Sequence, residues 1–303
     1  MVLSRYRVTL PFLLGALAGL SSHAAQARCE DYVPQPKPQN ASRDIVGQDL
    51  DTIQDRGFMT FAAYEDYPPW SYTEGGKIVG VDIEIGKLIA EDLGVEARFN
   101  LVAPGEDLLT DLRNWIWKGP IVGGAVVNVM LHVPYDSEFA CRVEQVVFTG
   151  QYHQEQIAIA YRKDDYPDEK PIPAYFRFDT VGVENDSIAD FYLSAFPGGQ
   201  LSGNVTRYPT MTEAMEGLDQ GATMAAMGPL AELEFGLTEN TDVHTPPLPG
   251  FAVGKWTAGV GVHFAYRPLA YAVGDAIYAG LQDGRIEQIF TDFGLTHTPP
   301  EFQ

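Results

Sequence analysis

Basic residues are scarce in this 303-residue chain. Lys and Arg number 20 against 41 Asp and Glu, a formal net charge of −21. No Lys/Arg cluster relieves that field, which argues against nucleic acid or anionic membranes as partners and favours solubility or a basic protein face. Cysteine is nearly absent: Cys29 and Cys141 are the two. They lack the Cys-x-x-Cys spacing of a thiolate metal site, and in an oxidising compartment an isolated pair reads as a disulfide rather than as two free thiols. Signatures of chemistry are missing as well, with no Gly-x-Ser-x-Gly, His-Glu-x-x-His, Walker loop or Gly-x-Gly-x-x-Gly. His132, His153, His244, His263 and His297 are scattered without ligand spacing and read as surface or satisfied core residues. The acidic stretch 163–170 lacks the alternating ligands and central Gly of a calcium loop. The expectation is therefore no catalytic residue, no metal and no cofactor. Beyond the N-terminus no apolar run reaches the ~20 residues of a membrane helix, so no membrane insertion is expected.

What is present begins with an address. Arg5 and Arg7 precede an apolar run from Val8 to Leu20, and the small-residue sequence Ala24-Ala25-Gln26-Ala27 follows. A basic start, a short apolar stretch and an Ala-x-Ala end are the parts of a cleaved secretory signal peptide, residues 1–27. Its loss leaves 18 basic against 41 acidic residues, a net charge near −23. The polar, Pro-rich residues 28–56 read as an extended arm, because proline fixes φ and removes donors.

From Phe58 the hydrophobic period alternates between strand and helix. A strand at 58–63 is followed by a helical period over Val81–Leu93, a strand at 95–101, a helix at 108–117 and a buried strand at 125–131. A second series runs from 156–161 through strands near 180–183, 204–208 and 224–227, with helices at 186–195 and 212–218 between them. A closing strand at 258–264 leads into helices over 271–293, broken at Asp283-Gly284. Short strand–helix–strand units argue for parallel sheets covered on both faces. The fold class is α/β, a clamshell of two doubly wound lobes joined by a two-strand hinge. Lobe 1 takes 57–157, lobe 2 takes 158–260, and 261–303 returns to lobe 1. A ligand would lie in the crevice at the strand ends.

The order of several segments resembles the family 3 bacterial solute-binding proteins, the periplasmic receptors typified by polar amino-acid importers. The segments are Tyr67-Pro68-Pro69-Trp70-Ser71-Tyr72, Gly80-Val81-Asp82-Ile83-Glu84-Ile85, Leu88 to Gly94, Arg142 to Tyr152, Val181 to Ser187, and Leu281 to Phe290. The resemblance spans about residues 56–296 and implies a type II periplasmic binding protein fold. It also implies roles. Tyr67 and Trp70 match aromatics that line the cleft, the alternative being core packing at a turn. Arg142 matches the arginine that grips a ligand carboxylate, the alternative being a surface arginine. Asp186 falls in a segment beside the cleft.

Departures from the family pattern point elsewhere. Phe139 stands where a Thr is usual. Met224 and Asn128 stand where amino-acid receptors place carboxylates, which puts the standard amino-acid site in doubt. Two further segments, Met130 to Asp136 and Met227-Gly228-Pro229-Leu230-Ala231, resemble binding proteins associated with quinoprotein methanol or alcohol dehydrogenases. The leading expectation is thus a non-enzymatic periplasmic solute-binding protein serving such a system. Its partners would be a small-molecule ligand and a quinoprotein dehydrogenase or cytochrome. The alternatives are the receptor of an ABC importer, docking on its permease, and a cyclohexadienyl dehydratase-like enzyme with Glu184 or Asp186 as its acid.

Overall fold

The computed structural model describes residues 47–301 except Gly123 and Ala252. The expected signal peptide, Cys29 and most of the Pro-rich arm lie outside the described residues. The chain opens with α1 (Leu50–Arg56), β1 (Phe58–Tyr64), the hairpin β2 (Tyr72–Glu74) and β3 (Lys77–Val79), α2 (Val81–Asp92) and β4 (Glu96–Val102). Next come α3 (Leu108–Leu112), which runs on into one π turn (Arg113–Trp117), β5 (Val129–Tyr135), α4 (Ser137–Arg142) and the 17-residue β6 (Val146–Arg162). The second half holds β7 (Val181–Glu184), α5 (Ile188–Ser194), β8 (Val205–Tyr208), α6 (Met211–Asp219), β9 (Ala225–Pro229), α7 (Leu230–Phe235) and β10 (Thr241–His244). It closes with β11 (Lys255–His263), α8 (Arg267–Gln282) and α9 (Arg285–Asp292).

Strand order is β4-β1-β5-β11-β6-β9-β7-β8, with β10 on β6. The long β6 changes partners along its length. It pairs with β11 from Val146 to Gln156 and with β9 from Ile157 to Tyr161. Lobe 1 is the sheet before that change and lobe 2 the sheet after it, so the antiparallel pair β6 and β11 carries the chain out and back. In lobe 1, β1 is parallel to β4 and β5; in lobe 2, β7 is parallel to β8 and β9. Each lobe has a core on either face of its sheet: one built on Phe61, Ile85, Ile89 and Phe290, another on Leu112, Ile116 and Met130, a third on Val181, Leu193 and Met227, a fourth on Met211, Leu218 and Leu233. That two-sided burial is what unbroken apolar strands require.

Helix starts follow local chemistry. Asp49, Asp107, Asp136, Ser187 and Thr210 each accept an amide hydrogen three residues on, capping α1, α3, α4, α5 and α6. Gly80, before α2, sits at φ 132° with a Cβ position 2.2 Å from the Trp70 carbonyl oxygen, so only glycine fits.

Two elements differ from expectation, and three more were not expected at all. Residues 50–56, read as the end of an extended arm, form α1, because Asp49 caps the helix and Ile53 is buried beneath it. The third strand runs over 129–135 rather than 125–131. Asn128 uses its own side-chain oxygen to take the Thr60 amide, so pairing with β1 starts at Val129. The short α4, α7 and β10 carry too little period to be read from sequence.

Candidate functional site

Parallel β1 and β5 finish on one edge of lobe 1, at Tyr64 and Tyr135, and β7 finishes on the facing edge of lobe 2, at Glu184. Between these ends lies a cavity of about 730 Å³. Lobe 1 lines it with Tyr64 to Tyr67, segments of 104–111, and His132 and Pro134 to Asp136; lobe 2 adds Glu184, Ile188, Lys255 and Trp256. Six carboxylates face it (Glu65, Asp66, Asp107, Asp111, Asp136 and Glu184) against the single ammonium of Lys255. Asp111 is buried, held by the Tyr64 hydroxyl at 2.8 Å and the Gly105 amide at 2.7 Å. Burial raises the Glu184 carboxyl above its ordinary value, although the Met211 amide donates to it. A smaller cavity of about 320 Å³ continues from Tyr67 and Glu184 toward Met211 and Glu232.

Beneath the cleft the lobes meet through a layer of buried polar groups. Asp82, in the first turn of α2, is fully buried and accepts the Tyr152 hydroxyl at 2.6 Å. His132 Nδ1 lies 3.2 Å from Asp82 Oδ2. On the lobe 2 side, Tyr67 donates to Glu232 of α7 at 3.2 Å. Glu155, where β6 changes partners, accepts the Leu230 amide at 3.1 Å and the Ala231 amide at 3.4 Å. Burial pushes the Glu155 carboxyl up to about 7 against those amides. Glu232 rises well above the usual carboxylate range, first through burial and then through the charges of Glu184 and Glu155. His153, stacked on Phe290, is pushed down to about 3 by burial and by neighbouring histidines. The C-terminal segment straps this seam, with Thr296 bonded to Glu234 of α7 and the Thr298 carbonyl accepting the Gln154 amide.

The residues singled out from sequence separate. Tyr67 lines both cavities. Trp70 takes its alternative role: it is fully buried, 4.4 Å from the His132 ring and 5.7 Å from that of His153. Arg142 ends α4, opposite the Asp136 cap that faces the cleft, and is exposed outside the lining residues, 5.9 Å over the Phe139 ring. Asp186 is exposed at φ 58°, accepts from Asn185 and lines neither cavity, whereas Glu184 lines both. Asn128 and Met224 stand at the N-terminal ends of β5 and β9, the ends remote from the cleft. Asn128 is buried in bonds to Arg56 and Thr60. Their identity therefore says nothing about a cleft carboxylate, and the inference from them is corrected. Cys141 lies on α4, and no free cysteine occurs among the described residues; Cys29, its expected partner, lies outside them. Sequence reading missed His132, Asp82, Glu155 and Glu232. The short segment Met130 to Asp136 was the signal for His132, since it runs to the cleft edge.

Residues 59–115 match the family model of bacterial extracellular solute-binding proteins, family 3. No curated protein matches the chain. Among solved structures, an ancestral cationic amino acid solute-binding protein is similar at TM-score 0.66 and 19% identity, over 81% of this chain and 99% of that one. An amino acid ABC transporter substrate-binding protein from Streptococcus pneumoniae, bound to L-arginine, gives TM-score 0.58 and 20% identity over 83% and 100%. An ancestral amino acid-binding protein described as a precursor of cyclohexadienyl dehydratase gives 0.56 and 18% over 81% and 98%. The fold is that of type II periplasmic binding proteins, a mixed central sheet with flanking helices.

Proposed function

We propose that this protein is the extracytoplasmic solute receptor of an ABC-type importer, closing its two lobes on one small molecule and presenting the closed form to a permease. The observation that carries this reading is the 730 Å³ cavity at the strand ends, walled by both lobes and floored by a polar seam that belongs to neither alone. Export through a cleaved signal peptide and a Cys29–Cys141 bridge belong to the same reading. The match over residues 59–115 and the likeness to arginine-bound receptors support it. A thermal-shift screen of a broad set of small polar solutes tests it. A saturable rise in Tm with at least one solute is expected, and silence across the whole set would overturn the receptor role.

The accessory of a quinoprotein dehydrogenase is the second reading. It is favoured by the placement of segment 130–136 in the wall of the cleft and by the net charge of −21, which suits docking on a basic protein face. Binding rather than catalysis fits the site better. Of the two acids named for a dehydratase, Glu184 lines the cavity and Asp186 does not, and the Met211 amide occupies one Glu184 oxygen.

A further inference from the structure

Resting on the receptor reading, the geometry points to a ligand class: we propose that the cleft takes an organic amine without a carboxylate, accepted by Nε2 of His132. Charge is the first observation. A bound carboxylate needs an arginine or an amide cradle, and the cavity offers one exposed Lys255 among six carboxylates. Arg142, the residue the family resemblance assigned to a ligand carboxylate, stands outside the lining. An ammonium or guanidinium entering this field is attracted and an anion repelled.

The second observation is independent of that charge. His132 is 7% exposed, lines the cavity and holds φ 53°, a conformation that non-glycine residues adopt mainly where surrounding structure imposes it. Tyr152 donates its hydroxyl to Asp82, so Asp82 is an acceptor and the proton shared with the ring sits on Nδ1. With the proton on Nδ1, Nε2 is an acceptor with no hydrogen-bond partner among the described residues, on a residue that lines the cavity. An ammonium in the cavity supplies the donor that this nitrogen lacks. Tyr67 packs edge-on against this ring at 5.3 Å, and Trp256 lines the same cavity; aromatic faces of this kind attract a cation. An ammonium placed here donates to His132 Nε2 and to the open oxygens of Asp136 and Glu184.

Calorimetry with matched probes tests this: L-arginine against its decarboxylated counterpart agmatine, putrescine as a plain diamine, and glutarate as a dicarboxylate. Agmatine or putrescine is expected to bind at least tenfold more tightly than arginine, with glutarate silent. His132→Phe, which keeps a ring but removes the nitrogen, should weaken amine binding tenfold or more, and Asp136→Asn, at an exposed position, several-fold. Arginine or glutarate binding more tightly than agmatine would overturn the amine site while leaving the receptor reading intact. So would amine affinity unchanged in both variants, or binding confined to some other solute. No binding by any solute, here or in the broad screen, would remove both.

Discussion

Trp70 and Tyr67 sit three residues apart in one turn and do different work. Tyr67 is partly exposed, spans the lobes through its bond to Glu232 and lines the cleft, whereas Trp70 fills the layer beneath it between His132, His153 and Phe290. Sequence shows an aromatic turn but not which ring faces inward, because the deciding neighbours lie 62, 83 and 220 positions further along. Truncating a fully buried tryptophan removes its packing and leaves a cavity, so Trp70→Ala should cost about 3–5 kcal/mol of stability by chemical denaturation. Arg142 lies at the other extreme. Its guanidinium is exposed at the far end of α4, so Arg142→Ala should leave both the denaturation midpoint and ligand affinity unchanged. A tenfold loss of affinity in calorimetry would return Arg142 to the site.

Elements were legible where their period is strong. The helices at 81–93 and 212–218 and the break at Asp283-Gly284 appear close to where the spacing places them, since α2, α6 and the pair α8 and α9 each bury one consistent face. Direction was the harder matter. Asn128 and Met224 attract notice as lost carboxylates only if the starts of β5 and β9 face the ligand, and parallel pairing with β1 and β7 puts those starts at the base of each lobe. There Asn128 Oδ1 takes the Arg56 guanidinium at 2.7 Å and the Thr60 amide and hydroxyl at 3.0 Å each. Removing it leaves three donors short of an acceptor, one of them charged, at about 1–3 kcal/mol for a buried group left unmet. Asn128→Ala should thus lower stability by that amount in urea titration while ligand affinity stays as in the wild type. An affinity change without a stability change would show instead that Asn128 acts in the cleft.

At the scale of the molecule, the two lobes are pressed together over acids that prefer to be neutral, and this sets how stability depends on pH. Glu155, raised from 4.5 to about 7, holds a proton in the folded state that the unfolded chain has released. It therefore stabilises the fold by about 3 kcal/mol below pH 4.5, and that contribution is lost as pH rises toward 7. His153 has the opposite sign. Lowered from 6.5 to about 3, it stays neutral when folded while the unfolded chain takes up a proton, so its effect weakens the fold as pH drops below 6.5. Between pH 4.5 and 6.5 the two slopes nearly cancel. What remains is Glu232, raised well above the carboxylate range by burial and by Glu184 and Glu155, with the Tyr67 hydroxyl as its hydrogen-bond donor. Because it keeps its proton when folded, it removes stability steadily as pH climbs above the unfolded value. Calorimetric melting from pH 5 to 8 should show the wild type losing stability across the range. Glu232→Gln, neutral at every pH and able to keep the Tyr67 contact, should show a distinctly shallower loss. The difference between the two profiles isolates Glu232 from His244 and the other titrating groups. Parallel profiles would mean that Glu232 ionises freely in the fold, and that the seam beneath the cleft is wetter than its geometry shows.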